Sequence, residues 1–89
     1  MLCLLLSLII SRIEANTNNY SISGRISDER TGSPLPGASI LIKGTYLWAV
    51  SDQKGEFTIQ GIQEGKYQLE VSFLGYVPAT VPVNVNNSI

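Results

Sequence analysis

The sequence predicts an all-β protein, a small antiparallel β-sandwich. From Tyr20 onward, apolar residues recur at every second position, which is the period of a strand with one buried face and one wet face. Six short strand-like runs are separated by turn residues, and none of them has helical periodicity. With 89 residues, the chain is long enough for one small domain. Short alternating strands with frequent turns are typical of a sandwich.

The segment before the first of these strands has features of a secretory signal peptide. Residues 1–10, MLCLLLSLII, are apolar but too few to cross a bilayer as an ordinary helix. The sequence then becomes polar toward a possible cleavage site after Ala15. Two features are atypical, because no basic residue precedes the apolar run and Ile13 is large for the third position before a cut. A buried hydrophobic helix is the alternative interpretation.

The polar run NTNN at 16–19 favours a mature N-terminus over that helix. We therefore predict a signal peptide at 1–15 and a single domain at 16–89, with no transmembrane span in the mature chain. Cys3 is the only cysteine, so the mature domain would have none and would form no disulfide or multi-cysteine metal site.

The first two strands of the domain flank a loop. The first strand begins at Tyr20 and alternates apolar residues with serine and arginine. Residues 28–37 form the loop, with prolines and glycines that break regular pairing. The second strand follows, and the turn KGT at 43–45 ends it. The inward-facing residues predicted for the two strands are Tyr20, Ile22, Gly24, Ile26, Ala38, Ile40 and Ile42.

The centre of the chain, residues 50–57, predicts a tight β-hairpin turn between strands at 46–51 and 56–60. Asp52 can accept hydrogen bonds from backbone N–H groups about two residues further on. Gly55 can take a positive φ without a Cβ clash and so close the turn. Phe57 then places its ring in the core. The strand at 46–51 alternates poorly, and its buried face is left undetermined.

The last strands follow a turn at 61–65. Tyr67, Leu69, Val71 and Phe73 form the longest inward face, which Gly75-Tyr76 interrupts, and alternation continues from Val77 to Val85. Pro78 and Pro82 are four residues apart, so their missing N–H groups fall on one lateral side of the strand. The strand should therefore lie at a sheet edge or break at the prolines.

Composition argues against most chemical functions. Six basic and seven acidic residues nearly cancel, and there is no histidine, so nothing suggests a nucleic-acid surface. Asp28, Glu29 and Asp52 could gather around a cation, but turn-stabilising roles explain them better. Ser51 lacks a nearby base for nucleophilic catalysis. We predict no catalytic, cofactor-binding or metal-binding residue.

The aromatic residues are the remaining candidates for ligand contact. Trp48 and Tyr46 could stack on a sugar ring, and nothing in the strand pattern requires Trp48. Tyr76 could also stack, but in a Gly-Tyr corner its ring is expected to pack while its hydroxyl bonds to backbone. For Trp48 we expect partial burial. The predicted structural turn residues are Asp52, Gly55, Phe57, Gly75 and Tyr76.

Several ordered motifs resemble the carboxypeptidase regulatory-like domain, over residues 20–85. They are GRISD at 24–28, TGSPLPGASI at 31–40, KGT at 43–45, SD at 51–52, GEF at 55–57, GKY at 65–67 and FLGY at 73–76. The resemblance implies a transthyretin-like (prealbumin-like) sandwich, of the kind found at the N-terminus of TonB-dependent outer-membrane receptors for nutrients, often glycans. Trp48 departs from the small residue usual in the family, and the sequence stops where a further strand is usual, so the last strand is expected to be missing.

The resemblance implies a non-catalytic accessory or interaction domain on the periplasmic side of the outer membrane. Its partners would be periplasmic or outer-membrane proteins, and it would be either a fragment or a free-standing module. A carbohydrate-binding module that uses Trp48 is the alternative. An enzyme is the weakest interpretation, since residues suited to acid–base or nucleophilic chemistry are lacking.

Overall fold

The computed structural model describes residues 4–16 and 19–86, with backbone alone described for 4–6, 11–12 and 14–16. Within these ranges the chain forms eight strands and no helix, which confirms the predicted all-β fold. The strands are β1 Leu4–Asn16, β2 Asn19–Asp28, β3 Ser39–Ile42, β4 Trp48–Val50, β5 Glu56–Ile62, β6 Gly65–Ser72, β7 Tyr76–Val77 and β8 Ala79–Val85.

The strands form two four-stranded sheets. Sheet I has the order β5-β2-β1-β7, and sheet II has the order β4-β3-β6-β8. All neighbouring strands are antiparallel except β1 and β7, which run parallel over two residue pairs. The inward residues of both sheets form one core, as the alternating pattern predicts for a sandwich.

The core confirms most of the predicted inward faces. Its buried members are Tyr20, Ile22, Ile26, Leu35, Ala38, Ile40, Ile42, Phe57, Ile59, Ile62, Leu69, Val71, Val83 and Val85. Tyr67 and Phe73 lie at its margin and are only partly buried. Val77 does not join the core and is 41% exposed, because it lies on the two-residue edge strand β7.

The segment predicted to be a signal peptide is strand β1, between β2 and β7. It pairs with β2 through ten residue pairs, from Leu6↔Asp28 to Asn16↔Asn19. The alternative interpretation of this segment as a helix is wrong for residues 4–16. Cleavage after Ala15 stays a prediction, and Cys3 lies outside the described residues.

The prolines near the end of the chain act as predicted. Pro78 separates β7 from β8, and at this point the chain passes from sheet I to sheet II. Pro82 lies within β8, which is an edge strand of sheet II. An edge strand tolerates proline because one of its sides needs no partner.

The prediction of a hairpin at the centre of the chain is wrong. Strand β4 is an edge of sheet II, and β5 is an edge of sheet I, so the two are not paired. The turn between them carries the chain from one sheet to the other. Its local chemistry is as predicted, but turn chemistry alone does not determine whether the flanking strands pair or separate.

Candidate functional site

Three exposed apolar side chains lie on and beside β4, an edge strand of sheet II. Tyr46 is 99% exposed, Trp48 61% and Val50 49%. Leu47 and Ala49 pack against the core, so strand alternation turns Trp48 and Val50 outward. The expectation of a partly buried Trp48 is therefore wrong. The structure also identifies the buried face that the sequence left undetermined.

Trp48 lies at the end of a row of four residues across the outer face of sheet II. Leu41 is in register with Trp48 on one side and with Glu70 on the other, and Glu70 is in register with Thr80. Residues in register project from the same face of a sheet. An indole ring, an aliphatic side chain, a carboxylate and a hydroxyl therefore share one surface. We refer to these four residues as the Trp48 row.

An open cleft lies on the same sheet, one step along the strands from the Trp48 row. Its volume is about 500 Å³, and it is lined by Lys43, Gly44, Lys66, Tyr67, Gln68 and Pro82. Gln68 and Pro82 are in register, two residues from Glu70 and Thr80. Since side chains two residues apart in a strand share a face, Gln68 adds an amide to the surface that carries the Trp48 row.

Asp28 connects three parts of the chain at the end of β2. Its Oδ1 accepts hydrogen bonds from the N–H groups of Arg30 and Thr31, at 2.7 and 3.1 Å. Its Oδ2 accepts the Tyr76 hydroxyl at 2.8 Å. The Tyr76 hydrogen bond, with help from the two backbone donors, holds the pKa of Asp28 below its ordinary value despite partial desolvation. The same hydrogen bond raises the pKa of the Tyr76 hydroxyl.

The position of Tyr76 corrects one prediction and agrees with another. Its hydroxyl donates to a side chain 48 residues away, and not to nearby backbone as the sequence suggested. Its ring packs at the edge of the core, tilted by 53° against Phe73 with centroids 5.6 Å apart. The preceding Gly75 has φ +88°, as the turn requires. Tyr76 is thus committed to the fold and not available as a stacking platform.

The turn at residues 52–55 has the predicted local geometry. Asp52 Oδ1 accepts hydrogen bonds from the N–H groups of Lys54 and Glu56, both at 2.9 Å. Gly55 has φ +76° and is buried, and a Cβ built on it would collide with the carbonyl oxygen of Ile26. Phe57 is in the core and 4% exposed. These residues position the connection between the sheets.

Ser51 has a structural role that was not predicted from the sequence. Its hydroxyl donates to the Leu35 carbonyl at 2.6 Å and accepts the Ala38 N–H at 2.9 Å. Its backbone N–H donates to the Ala38 carbonyl, and its carbonyl accepts the Gly37 N–H. Four hydrogen bonds thus join the end of β4 to the loop before β3. The hydroxyl hydrogen is used in this contact, so Ser51 does not have the arrangement of a nucleophile.

Two of the three acidic residues considered for a cation, Asp28 and Asp52, are engaged in hydrogen bonds within turns. Both accept backbone hydrogen bonds, and their turns are separate. Among residues 4–16 and 19–86, no three histidine, cysteine or acidic side chains come together as a possible metal site. The candidate site of this domain is the exposed surface around Trp48, where the indole ring shares one face of the sheet with polar side chains.

Comparison with known families agrees with this architecture. The model of the CarboxypepD_reg-like domain matches residues 22–89. The chain belongs to this family. The sequence motifs that predicted the membership fall mainly on turns and on the ends of strands, which is where the fold needs particular residue types. No solved structure gives a significant match.

The curated relatives that match are TonB-dependent receptors. The receptor SusC of Bacteroides thetaiotaomicron is 32% identical over 83 residues, which are 93% of this chain and 8% of that receptor. The receptor P3 of Formosa agariphila is 29% identical over 89 residues, 100% of this chain and 9% of that receptor. The chain thus spans less than a tenth of each relative's length. It is a receptor-related domain.

In the described part of the chain, no helix has the length and apolar character needed to cross a bilayer.

Proposed function

We propose that this chain is a non-catalytic interaction domain, exported to the periplasmic side of the outer membrane in association with a TonB-dependent receptor. The observation that carries the proposal is the exposed β4 surface of a domain whose relatives are such receptors. Its partner would be a periplasmic or outer-membrane protein. Export would use residues 1–15 as a signal peptide.

The physical character of the β4 surface supports protein contact. Exposed tryptophan and tyrosine side chains offer large contact areas at low entropic cost and are enriched at interfaces. Strand β4 is also an edge, so backbone groups on one of its sides face away from the sheet. An apolar strip on an unpaired edge favours contact with another polypeptide over chemistry on a small molecule.

In-cell photo-crosslinking tests this proposal. A photo-reactive amino acid is placed at Trp48 and, in a matched control, at Gln60, an exposed position on β5 of the other sheet. Crosslinks from position 48 to a specific envelope protein, with few from position 60, are expected. Equal labelling from both positions, or none from either, would contradict a contact through the β4 surface.

A carbohydrate-binding function is the second candidate, favoured by the composition of the Trp48 row. An exposed indole can stack on the apolar face of a sugar, and Glu70, Gln68 and Thr80 offer polar groups on the same face of the sheet. The row runs across the sheet, where neighbouring strands are about 4.8 Å apart, so Trp48 and Glu70 are on strands about 10 Å apart. This separation is about the length of two sugar rings.

Intrinsic fluorescence tests the second candidate directly, because Trp48 is the only tryptophan. Stacking by a sugar is expected to shift its emission during titration with neutral oligosaccharides. Trp48→Ala should then abolish binding, measured by calorimetry, while leaving the melting temperature unchanged. Unchanged emission at millimolar oligosaccharide would argue against this function.

A further inference from the structure

Strand β1 lies between β2 and β7 in sheet I, and different parts of it pair with these two neighbours. On one side its residues 6–16 pair with all ten residues of β2, and on the other only Leu4 and Leu5 pair with β7. The same segment contains the predicted signal peptide. If cleavage after Ala15 removes it, β2 keeps β5 as its neighbour but its other edge opens, and β7 borders the opened space only near Asp28.

The two sides of this space are held in place by contacts that do not involve β1. Strand β2 pairs with β5 on its other side and provides Tyr20, Ile22 and Ile26 to the core. Strand β7 is anchored by Tyr76, whose hydroxyl donates to Asp28 on β2. The buried core is built from β2, β3, β5, β6, β8 and the loop before β3, whereas Leu8, Ile10 and Ile13 of β1 are only partly buried against it.

We propose that the edge of β2 which β1 covers, bordered by β7 at one end, is a strand-acceptor site, which an extended segment of a partner polypeptide occupies after residues 1–15 are removed. This inference rests on the signal-peptide cleavage in the proposed function. The partner segment pairs antiparallel with β2, as β1 does here. The open edge of β2 favours such pairing because its N–H and C=O groups would otherwise have no partner in a sheet.

The residues of β1 define the chemistry of a suitable segment. Leu8 and Ile10 pack against the core, whereas Ile9 between them is 59% exposed. An irregularity between Ile10 and Arg12 then shifts the inward face to Ile13. The segment therefore needs apolar side chains toward the core and tolerates polar ones outward.

Gly24 on β2 makes the close approach of such a segment possible. A Cβ at Gly24 would lie 2.5 Å from the carbonyl oxygen of Ile9 and 2.7 Å from the ring of Phe57. Because Gly24 has no Cβ, a backbone can pair with β2 at this position while the Phe57 ring also lies against Gly24. Gly24, the first residue of the GRISD motif, thus allows the close approach of a neighbouring strand.

The test uses the full chain with a site-specific protease sequence between residues 16 and 19, folded first and cleaved afterwards. A fluorescein-labelled peptide of residues 4–16, with a lysine tail for solubility, is then added. The cleaved chain is expected to exchange its own β1 for the labelled peptide, with one peptide bound per chain by fluorescence anisotropy. The uncleaved chain should bind little, because its site is filled.

Two peptide variants supply the matched control. Ile10→Asp puts a charge toward the core and should weaken binding by about tenfold or more. Ile9→Asp puts the same charge on the exposed side and should bind like the parent peptide. Equal weakening by both variants would overturn the proposal, because binding would then not follow the two faces of β1.

The other outcomes are also decisive. If the cleaved chain loses its circular dichroism signal, recovery with the parent peptide but not with Ile10→Asp supports the site, and no recovery overturns it. A cleaved chain that sediments as a dimer and excludes the peptide would mean that a second copy fills the site, against the proposed partner. Cleavage is performed in vitro, so failure of export in cells would leave these results unchanged.

Discussion

Gly44 and Gly55 have similar backbone angles but different surroundings, which makes them a matched pair. Their φ values are +85° and +76°, a region that costs an L-residue about 1–2 kcal/mol. A Cβ at Gly44 would meet no atom within 4 Å, whereas at Gly55 it would collide with the Ile26 carbonyl. The two substitutions to alanine therefore separate strain in φ from steric collision.

We expect Gly44→Ala to lower the free energy of unfolding by about 1–2 kcal/mol, as φ strain alone predicts. Gly55→Ala should cost at least about 1 kcal/mol more, because relief of the collision disturbs the hydrogen bond from Leu35 N–H to the Ile26 carbonyl. Urea denaturation of both variants measures the difference. Equal losses would mean that the turn yields freely and that the buried contact at Gly55 is unimportant.

The hydrogen bond between Asp28 and Tyr76 makes stability depend on pH in two directions. The folded-state pKa of Asp28 is below its ordinary value of 3.8, so its contribution is present above that value and is lost as pH falls through the folded pKa. The pKa of Tyr76 is above its ordinary value of 10.0, so its contribution is present below pH 10.0 and is lost as pH rises through the folded pKa.

Tyr76→Phe is therefore expected to destabilise the domain across the middle of the pH range. The difference from the parent should shrink as the pH falls below 3.8 and as it rises above 10.0. Tyr46→Phe is the control, because the Tyr46 side chain is 99% exposed, and it should melt like the parent at every pH. A pH-independent difference for Tyr76→Phe would show that ring packing, and not this hydrogen bond, causes the loss.

At the scale of elements, Ser51 fixes the end of β4 to the loop before β3. Ser51→Ala leaves the buried Ala38 N–H and the Leu35 carbonyl without their side-chain partner. We expect a loss of about 1–3 kcal/mol in the free energy of unfolding. Ser72→Ala, on an exposed position of β6, should change it by no more than about 0.5 kcal/mol. A neutral Ser51→Ala would mean that water replaces the lost hydroxyl.

The elements differ in how well the sequence predicts them. Strands β2, β3, β5 and β6 alternate clearly, because each has one face in the core and one in solvent. Alternation does not predict whether the strands on either side of the turn at 52–55 pair with each other. Asp52 and Gly55 specify a tight turn equally well between paired strands and between two sheets, and the choice depends on packing by distant strands.

At the scale of the whole molecule, long-range contacts account for most of what the sequence did not predict. The hydrogen bond from Tyr76 to Asp28 spans 48 residues, and no local pattern indicates it. The exposure of Trp48 follows from the edge position of β4, which is a property of the complete sheet order. The sequence nevertheless singled out Trp48 and Tyr46 as candidates for contact, because both are aromatic and no strand pattern required Trp48.

The fate of residues 1–15 connects the proposed location of the domain with its architecture. Export by a cleaved signal peptide removes nearly all of β1, whereas retention keeps sheet I as a four-stranded sheet. The residue at which the protein begins in the cells that produce it therefore tests both the proposed export and the presence of β1 in sheet I. This measurement can be made without knowing which partner the domain binds.

The most direct test is N-terminal sequencing of the protein from cytosolic, periplasmic and outer-membrane fractions. We expect the protein in the envelope fractions, with a sequence that begins at or close to Asn16. Intact Met1 on protein found only in the cytosol would contradict the account of an exported, receptor-related interaction domain.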